Sequence, residues 1–428
     1  MPTNLSDPPT NQSDSATPPL LPSAGRKWLA LFLSLFVLLF LADAVISLAD
    51  DSLLLFKQSG ALSILRLLVG LVALLVTLVV YVLMALMPAI PKRLFVPLAL
   101  FAPVSLLWGI YFSIYYYNHT TLISWLTSGL QVILGFGILF KLRGQSKWSW
   151  PLVPVIWLDG PGFTWRNLIV FVLANIFGLL PAFAIALFLC AGAAVNHFTG
   201  GFMTMHPLDF TVQARTYTRD DGETIQLFPM VHVAESDFYR SVLQTFPTNA
   251  SILMEGVTDE HNLMTNKISY QRMARSLGLA EQHEKFVPPR RQVVRADIDI
   301  DQFSTNTIAL LNLVMLVHAQ GINATNLPEL LQFSPSPDFQ NELLDDLLIK
   351  RNQHLLKEIK DYLPQTKYII VPWGVAHMPG ISREIQKLGF HLQATHEYTV
   401  IRFFHPTTRA TPSLKNQANN LNRLRCGL

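Results

Sequence analysis

The chain has 428 residues, of which 50% are hydrophobic and only 14% are charged, a balance too apolar for an ordinary soluble protein of this size. The formal net charge of +3 does not indicate a basic surface that would bind nucleic acid. The two cysteines, Cys190 and Cys426, are too few for a disulfide framework or a cysteine-based metal site. The sequence therefore predicts a membrane protein with no nucleic-acid partner.

Charged residues are sparse before Phe202 and frequent after it, which divides the chain into a membrane part and a soluble part. We expect an α-helical membrane region within residues 26–200 and an α/β domain within residues 201–410. A disordered tail is expected at residues 1–25, which are rich in Pro, Ser, Asn and Thr, and a second tail at 411–428.

Five apolar stretches are close to the roughly 20 residues that a helix needs to cross a bilayer core. They are Trp28–Leu48, Leu67–Met87, Leu94–Tyr117, Leu122–Phe140 and Asn167–Ala194. Pro181 lies in the middle of the last stretch, but each half is too short to span, so one kinked crossing is expected. Asp43 lies inside the first stretch, where an acid has a function by default, and the alternative is a position close to the outer headgroups.

Basic residues favour one orientation of these stretches in the bilayer. Lys57 and Arg66 flank the side opposite the N-terminus. The larger group flanks the N-terminal side and comprises Arg26, Lys27, Lys92, Arg93, Lys141, Arg143, Lys147 and Arg166. The N-terminus is therefore predicted to be cytoplasmic, and five crossings place the α/β domain outside the cytoplasm, in a protein of the plasma (inner) membrane.

After the last apolar stretch, the pattern changes to strands and helices. Residues 210–217 alternate like a strand, Asp221-Gly222 supplies a hairpin turn, and residues 224–228 form the returning strand. Further strands are predicted at 251–254, 368–371 and 399–404. Helices are predicted from the Ser336-Pro337-Asp338 cap to about Leu363 and at 381–388.

Two further segments are easily misassigned. Residues 307–318 are too short for a sixth crossing and contain Asn312 and His318, so they predict a buried helix. The segment Ala296-Asp-Ile-Asp-Ile-Asp begins like a calcium loop, but Gln302 stands where that loop needs glycine. We interpret it as a strand with alternating faces.

Three polar residues share one setting, because each ends an apolar strand and is followed by a turn and a helix. They are His232, Glu255 and His377. In a mainly parallel sheet such positions converge at one edge, where open α/β sheets hold their ligands. Two imidazoles and a carboxylate suit zinc, manganese or cobalt, which activates a bound water to attack an amide or ester. Without a metal, the same residues could act as a histidine base that is oriented by a carboxylate. A single His or Glu at a strand end is more often a hydrogen-bonded residue with a structural role.

The segment Gly374-Val375-Ala376-His377 resembles the second Gly-x-x-His motif of the TraB/PrgY/GumN superfamily. This superfamily includes the TIKI metalloproteases and is distantly similar to erythromycin esterase and ChaN. Glu255 resembles the family's strand-end glutamate, Ile268-Ser-Tyr-Gln its following helix, and Arg351-Asn352 its Arg-Asn pair. The similarity extends from about Ile225 to Phe404 and implies an α/β domain of TraB/TIKI type.

The activity implied by this resemblance is metal-dependent cleavage of a peptide or protein substrate outside the cytoplasm. The implied metal ligands or bases are His232, Glu255 and His377, holding Mn, Co or Zn. Arg351 is expected to clamp the substrate through a carboxylate or to stabilise an oxyanion, and the alternative is a salt-bridged helix arginine. The implied substrate-binding residues are Tyr270, Asn352 and Gly374.

The first motif departs from the family pattern, because Pro229 replaces the glycine in Pro229-Met-Val-His232. Proline fixes φ and removes an N–H, so a site that needs that glycine is altered. Two other functions remain open. One is a non-catalytic peptide-binding or signalling module, as pheromone-shutdown relatives are thought to act, and the other is a metal-free hydrolase resembling the erythromycin esterases. The sequence leaves the substrate and the oligomeric state open.

Overall fold

The computed structural model describes residues 23–143, 150–265, 270–289 and 293–404. Most of the predicted first tail, all of the second tail, Lys147 and Ile268 lie outside these described residues. Contacts within the chain divide it into two units, Met1–Ala193 and Ala194–Leu428.

Five helices are long and apolar enough to cross a membrane, as predicted. The first four are α1 (Ser23–Lys57), α2 (Ser63–Leu86), α3 (Lys92–Tyr115) and α4 (Thr120–Arg143). The fifth is composed of α5 (Trp165–Ala174), a π-helical turn (Asn175–Leu179) and α6 (Leu180–Phe198). Their length and composition indicate an integral membrane protein in contact with lipid.

The fifth candidate span runs through Pro181 as one continuous helical segment, in agreement with the predicted single crossing. Proline cannot donate the backbone hydrogen bond of the preceding turn, and a π-helical turn is a common local adjustment to such a loss. Here that turn begins at Asn175, whose side-chain amide donates to the carbonyl of Phe171 at 2.8 Å and whose oxygen accepts from the Tyr81 hydroxyl. These contacts place Asn175 between its own helix and Tyr81 of α2 at the start of the π-helical turn.

Helix α1 forms the centre of the membrane unit. It is 44% buried over its apolar window, a larger fraction than for any other candidate span of the described residues. Leu33, Phe36 and Val37 of α1 join one apolar cluster with Met84 of α2 and Phe95 of α3. The outward surfaces of the remaining helices stay apolar and exposed, which suits contact with lipid.

The C-terminal part of α1 carries a buried acid with a full set of partners. Asp51 is 1% exposed and pairs with the guanidinium of Arg66 on α2. Its carboxylate also accepts hydrogen bonds from the hydroxyls of Ser124 at 2.9 Å and Ser128 at 2.6 Å, both on α4. An unpaired charge in an apolar bundle is very unfavourable, so these contacts tie three helices together.

Two more acids of α1 have partners on neighbouring helices. Asp50 accepts from Ser63 at 3.1 Å and lies 3.6 Å from Arg66. Asp43, the acid singled out from the sequence, accepts a hydrogen bond from the side-chain amide of Gln131 at 2.8 Å. Each of the three acids therefore faces another helix of the unit.

The second unit contains a seven-stranded mixed sheet and a separate two-stranded sheet. The strands are β1 (Met203–Met205), β2 (Asp209–Thr218), β3 (Thr224–Met230), β4 (Val233–Ala234), β5 (Ser251–Met254), β6 (Ala280–Glu281), β7 (Val293–Arg295), β8 (Tyr368–Gly374) and β9 (His391–Arg402). The order in the large sheet is β1-β2-β3-β8-β5-β7, with β9 also paired to β2. Strands β3, β8, β5 and β7 are mutually parallel, whereas β2 is antiparallel to β1, β3 and β9.

Helices follow or connect most of the strands. They are α7 (Ser236–Gln244), α8 (Gln271–Ser276), α9 (Gln282–Lys285), α10 (Thr305–Gln320), α11 (Leu327–Gln332), α12 (Phe339–Leu344), α13 (Arg351–Tyr362) and α14 (Met378–Lys387), with a π-helical turn at Asp345–Lys350 between α12 and α13. The strands at 224–228, 251–254 and 368–371 and the helices at 339–363 and 381–388 are thus found close to their predicted places. The final strand begins earlier than predicted.

Alternation along the central strands separates two apolar clusters on opposite faces of the sheet. Ile369, Val371 and Trp373 of β8 join the cluster that contains Ile359 of α13, whereas Ile370 joins the other cluster. Because both faces of β8 are covered, it is a continuous apolar run rather than an alternating one. The hairpin between β2 and β3 turns at Gly222, whose φ of +86° favours glycine.

Two sequence-based interpretations are wrong. The helix predicted at 307–318 is present as α10, but it is not a buried helix, since Val314 is 47% exposed and only Thr307 and Met315 of its described residues are buried. The predicted strand from Ala296 to Asp301 is also absent, because β7 ends at Arg295. Its aspartates instead accept backbone and side-chain hydrogen bonds, which the alternating pattern did not indicate.

Replacement of Arg66 by methionine should destabilise the membrane unit, because Asp51 would be left buried without its cation. We expect a loss of roughly 3–5 kcal/mol, the usual cost of breaking a buried ion pair. The measurement is the thermal unfolding midpoint of the full-length protein in detergent micelles. Lys57→Met at the exposed end of α1 is the control, and a drop of equal size in both variants would contradict a specific role for the pair.

Candidate active site

Four strand ends meet at the carboxyl edge of the parallel half of the sheet. The neighbouring strands there are β3, β8, β5 and β7, in that order. Their ends are followed by His232, His377, Glu255 and Asp297. This is the edge where open α/β sheets hold ligands, and it was predicted for the first three of these residues.

Arg351, at the start of α13, joins the ends of β5, β7 and β8. Its Nε and Nη2 atoms donate to both carboxylate oxygens of Asp297, at 3.0 and 2.7 Å. Nη2 also donates to Glu255 Oε1 at 2.7 Å, and Nη1 lies 3.2 Å from His377 Nε2. Burial by itself lowers the pKa of Arg351, but the hydrogen bonds and charges of Asp297 and Glu255 outweigh it and raise that pKa. The guanidinium is therefore a fixed cation at this edge.

Glu255 is held between this cation and the backbone of β8. Its Oε2 accepts the backbone N–H of Gly374 at 2.5 Å, and its Oε1 lies 3.6 Å from His377 Nε2. A Cβ at position 374 would stand 3.3 Å from Glu255 Oε2, which is tighter than usual. Glycine at this position thus allows the carboxylate to approach the strand end. This close approach explains why a glycine stands at the first position of the Gly-x-x-His segment.

His377 is a buried, neutral imidazole with a defined tautomer. The side-chain oxygen of Asn352 accepts from Nδ1 at 2.8 Å, so the lone pair is on Nε2 and faces Arg351. Burial lowers the pKa of His377 to about 4; the charge of Glu255 opposes this shift and that of Arg351 adds to it. Gly380 leaves room for Asn352, because a Cβ there would meet Asn352 Nδ2 at 2.7 Å.

His232 lies in a different environment from the other predicted ligands. It is exposed, and its ring stacks on Tyr270 with the centroids 5.0 Å apart and the planes 6° from parallel. The Tyr270 ring also lies 5.9 Å from that of His318, and burial and the charge of Glu281 raise the pKa of its hydroxyl. His232 and Tyr270 thus form an aromatic pair rather than part of the Arg351 cluster.

The arrangement does not fit the predicted metal ion. Among the described residues, no group of three or more His, Cys, Asp or Glu side chains is placed to hold one. The atoms of Glu255 and His377 that would face a metal instead face the guanidinium of Arg351, which would repel a divalent cation. The predicted set of His232, Glu255 and His377 as metal ligands is therefore not assembled, whereas Glu255, His377, Arg351, Asn352 and Gly374 are brought together.

Asp297 is the residue of this site that the sequence interpretation missed. Its side chain is 0% exposed and makes two hydrogen bonds to Arg351. Its position in the sequence could have indicated a place in the site, because it follows the apolar pair Val293-Val294 as Glu255 follows its own strand. The aspartates that alternate with apolar residues around it led instead to the prediction of a strand.

No protein-family model, curated protein or solved structure matches this chain. Its function is therefore inferred from the geometry of the side chains at the sheet edge.

Protonation of His377 should destabilise the folded protein in acid. Between pH 6.5 and about pH 4 the unfolded chain binds a proton at this residue and the folded chain does not, so stability falls as the pH falls through that window. The full difference is about 3 kcal/mol. The unfolding midpoint of the full-length protein, measured across this range, should lose part of its pH dependence in His377→Asn and keep it in the exposed control His391→Asn.

Proposed function

We propose that the α/β domain is a metal-independent hydrolase that cleaves an ester or amide bond in a peptide or related acyl substrate, and that the five helices anchor it in the membrane. The observation that carries this proposal is the contact between the Arg351 guanidinium and neutral His377 at the sheet edge. Arg351 and Glu255 keep 11% and 14% of their side chains exposed, so part of the cluster reaches the surface.

In the proposed reaction, Arg351 stabilises the negative charge of the transition state. Nε and Nη2 are committed to Asp297 and Glu255 by short contacts, whereas both Nη1 contacts are longer, at 3.2 Å to His377 and 3.4 Å to the carbonyl of Leu347. The Nη1 hydrogens are therefore the ones that a substrate carbonyl oxygen displaces most easily. Held there, the guanidinium stabilises the negative charge that develops on that oxygen.

His377 supplies the proton transfer. Once Nη1 turns to the substrate, the lone pair on Nε2 is free to take a proton from a water molecule as its oxygen attacks the carbonyl carbon. The same proton then passes to the leaving amine or alkoxide. Asn352 holds the ring in the required tautomer through Nδ1, and Glu255 keeps the guanidinium in position.

The resemblance of Gly374-Val-Ala-His377 to the TraB/PrgY/GumN superfamily supports the hydrolase class. The metal-free form is the one that resembles the erythromycin esterases, to which that superfamily is distantly similar. The substitution of Pro229 at the first motif agrees with a site that does not use His232 as a ligand. The ladder between β2 and β3 extends from Thr224 to Leu227 of β3 and stops before Pro229. On the side of β3 that faces β2, a proline at position 229 therefore removes no hydrogen bond between strands.

A second function is favoured by one feature of the cluster. All three guanidinium nitrogens of Arg351 and both ring nitrogens of His377 have partners within the protein. A closed network of this kind is also suited to holding a peptide without cleaving it, as in a binding or signalling module. Turnover separates the two functions.

Hydrolysis should depend on Arg351 and His377 and should not depend on a metal. We expect the full-length protein in micelles to cleave a substrate from a panel of p-nitrophenyl acyl esters and fluorogenic peptides with the same kcat in EDTA. His377→Asn and Arg351→Lys should each lower kcat/KM by roughly 10²-fold or more, because the first removes the base and the second the planar guanidinium. Arg383→Lys on the exposed side of α14 is the matched control.

Two results would overturn the metal-free hydrolase. Loss of turnover in EDTA with recovery on addition of Mn, Co or Zn would indicate the metal-dependent reaction instead. Binding of peptides with no turnover across the panel would favour the non-catalytic module.

The domain is proposed to lie outside the cytoplasm. The larger number of basic residues on the side of the N-terminus supports this orientation, and ion pairs occur on both sides, at Arg26 with Asp159 and at Arg66 with Asp51. A reporter that is active only outside the cytoplasm, fused after Leu428, should be active. Activity of the complementary cytoplasmic reporter at the same position would refute this orientation.

A further inference from the structure

An open cleft of about 600 Å³ lies on the second unit at the turn between β1 and β2 and along β9. Its lining includes His206, Leu208, Asp209, Thr211, Glu397 and Thr399. None of these residues belongs to the Arg351 cluster, so the cleft is independent of the proposed hydrolase.

Thr211 marks this cleft as a site rather than a surface depression. Its side chain is only 5% exposed, yet its hydroxyl oxygen has no hydrogen-bond partner among the described residues. Buried hydroxyls are almost always paired, and one that is not indicates a missing partner. Thr399 lies directly opposite it in the β2–β9 ladder and also lines the cleft.

The cleft is rich in acceptors and negative in charge. Asp209 and Glu397 contribute two carboxylates, and no lysine or arginine is among the lining residues. His206 is the one basic neighbour in the lining, with its Nε2 3.5 Å from Glu397 Oε1. Arg402, which faces Asp209 in the ladder, directs its guanidinium to Glu235 instead. The complementary ligand is therefore a cation that donates hydrogen bonds.

We propose that this cleft binds a primary ammonium group, whose N–H donors are shared between the carboxylates of Asp209 and Glu397 and the hydroxyl of Thr211. A primary ammonium offers three donors, one for each of these three accepting groups. A quaternary ammonium offers none and is usually held by aromatic rings, which the cleft lining lacks. A metal ion is disfavoured because no suitable group of His, Cys, Asp and Glu exists among the described residues.

The same ammonium chemistry occurs in soluble amines and in ethanolamine headgroups of lipids. Only seven residues separate Phe198, where the last candidate span ends, from His206. Because the eight Cα–Cα steps between them reach at most about 28 Å, a headgroup at the bilayer surface is within range of the cleft. The experiment has to distinguish these two sources.

The test uses the full-length protein in maltoside micelles and compares three probes by native mass spectrometry and thermal shift. The probes are a short-chain phosphatidylethanolamine, the phosphatidylcholine of equal chain length, and free ethanolamine. The ethanolamine lipid should bind at least about 10-fold more tightly than the choline lipid, because only the former donates N–H bonds. Binding of free ethanolamine with the same affinity as the lipid would assign the site to soluble amines; weaker binding would assign it to the headgroup.

Variants connect this preference to the cleft. Glu397→Gln and Thr211→Val should each reduce the affinity for the ethanolamine lipid by about 5–10-fold, and Thr211→Ser, which keeps the hydroxyl, should retain it. Glu384→Gln, a partly exposed acid on α14, is the control. Glu397 is itself exposed, so its variant tests the proposal even if Thr211→Val does not fold. Equal binding of the two lipids, or an unchanged preference in Glu397→Gln, would overturn the proposal.

Discussion

The two hydrogen bonds from Arg351 to Asp297 are the constraint on which the candidate site depends. Asp297 has no exposed side-chain surface, and a buried carboxylate is stable only when a cation and hydrogen-bond donors surround it. Arg351 supplies the cation, and the backbone N–H groups of Gly256 and Ile298 supply further donors at 2.9 Å. The start of α13 is thereby fixed against the ends of β5 and β7, and the remaining guanidinium atoms are directed at Glu255 and His377.

In the proposed hydrolase, this constraint decides the chemistry of the site. A guanidinium between Glu255 and His377 occupies the place that the sequence assigned to a divalent metal, and both provide positive charge where a carbonyl oxygen becomes negative. They differ in what they do to water, because a metal lowers the pKa of a bound water and a guanidinium does not. In the proposed reaction the proton therefore goes to a side chain, and neutral His377, which lies beside the cation, is the proposed acceptor.

The membrane unit uses the same kind of interaction for a different purpose. Asp51 and Arg66 form an ion pair that two serines of α4 complete, and it joins three helices. Arg66 keeps 31% of its side chain exposed and Arg351 only 11%, so exposure of the cation does not distinguish the two sites. They differ in the imidazole of His377, which the Arg351 cluster places beside its cation.

The sequence by itself determined the division into apolar helices and an α/β part, the central strands, and the convergence of Glu255 and His377 at one sheet edge. These features follow from the length of the apolar runs and from the spacing of apolar residues, which depend only on neighbouring positions along the chain. Only the tertiary structure decided that Asp297 completes the cluster, that His232 stacks on Tyr270 instead, and that the guanidinium of Arg351 contacts both Glu255 and His377. Those outcomes depend on which side chains from distant segments meet, and on the electrostatic balance between them, which no local pattern records. Helix α10 shows the same limit, since its apolar composition predicted burial that the packing around it does not provide.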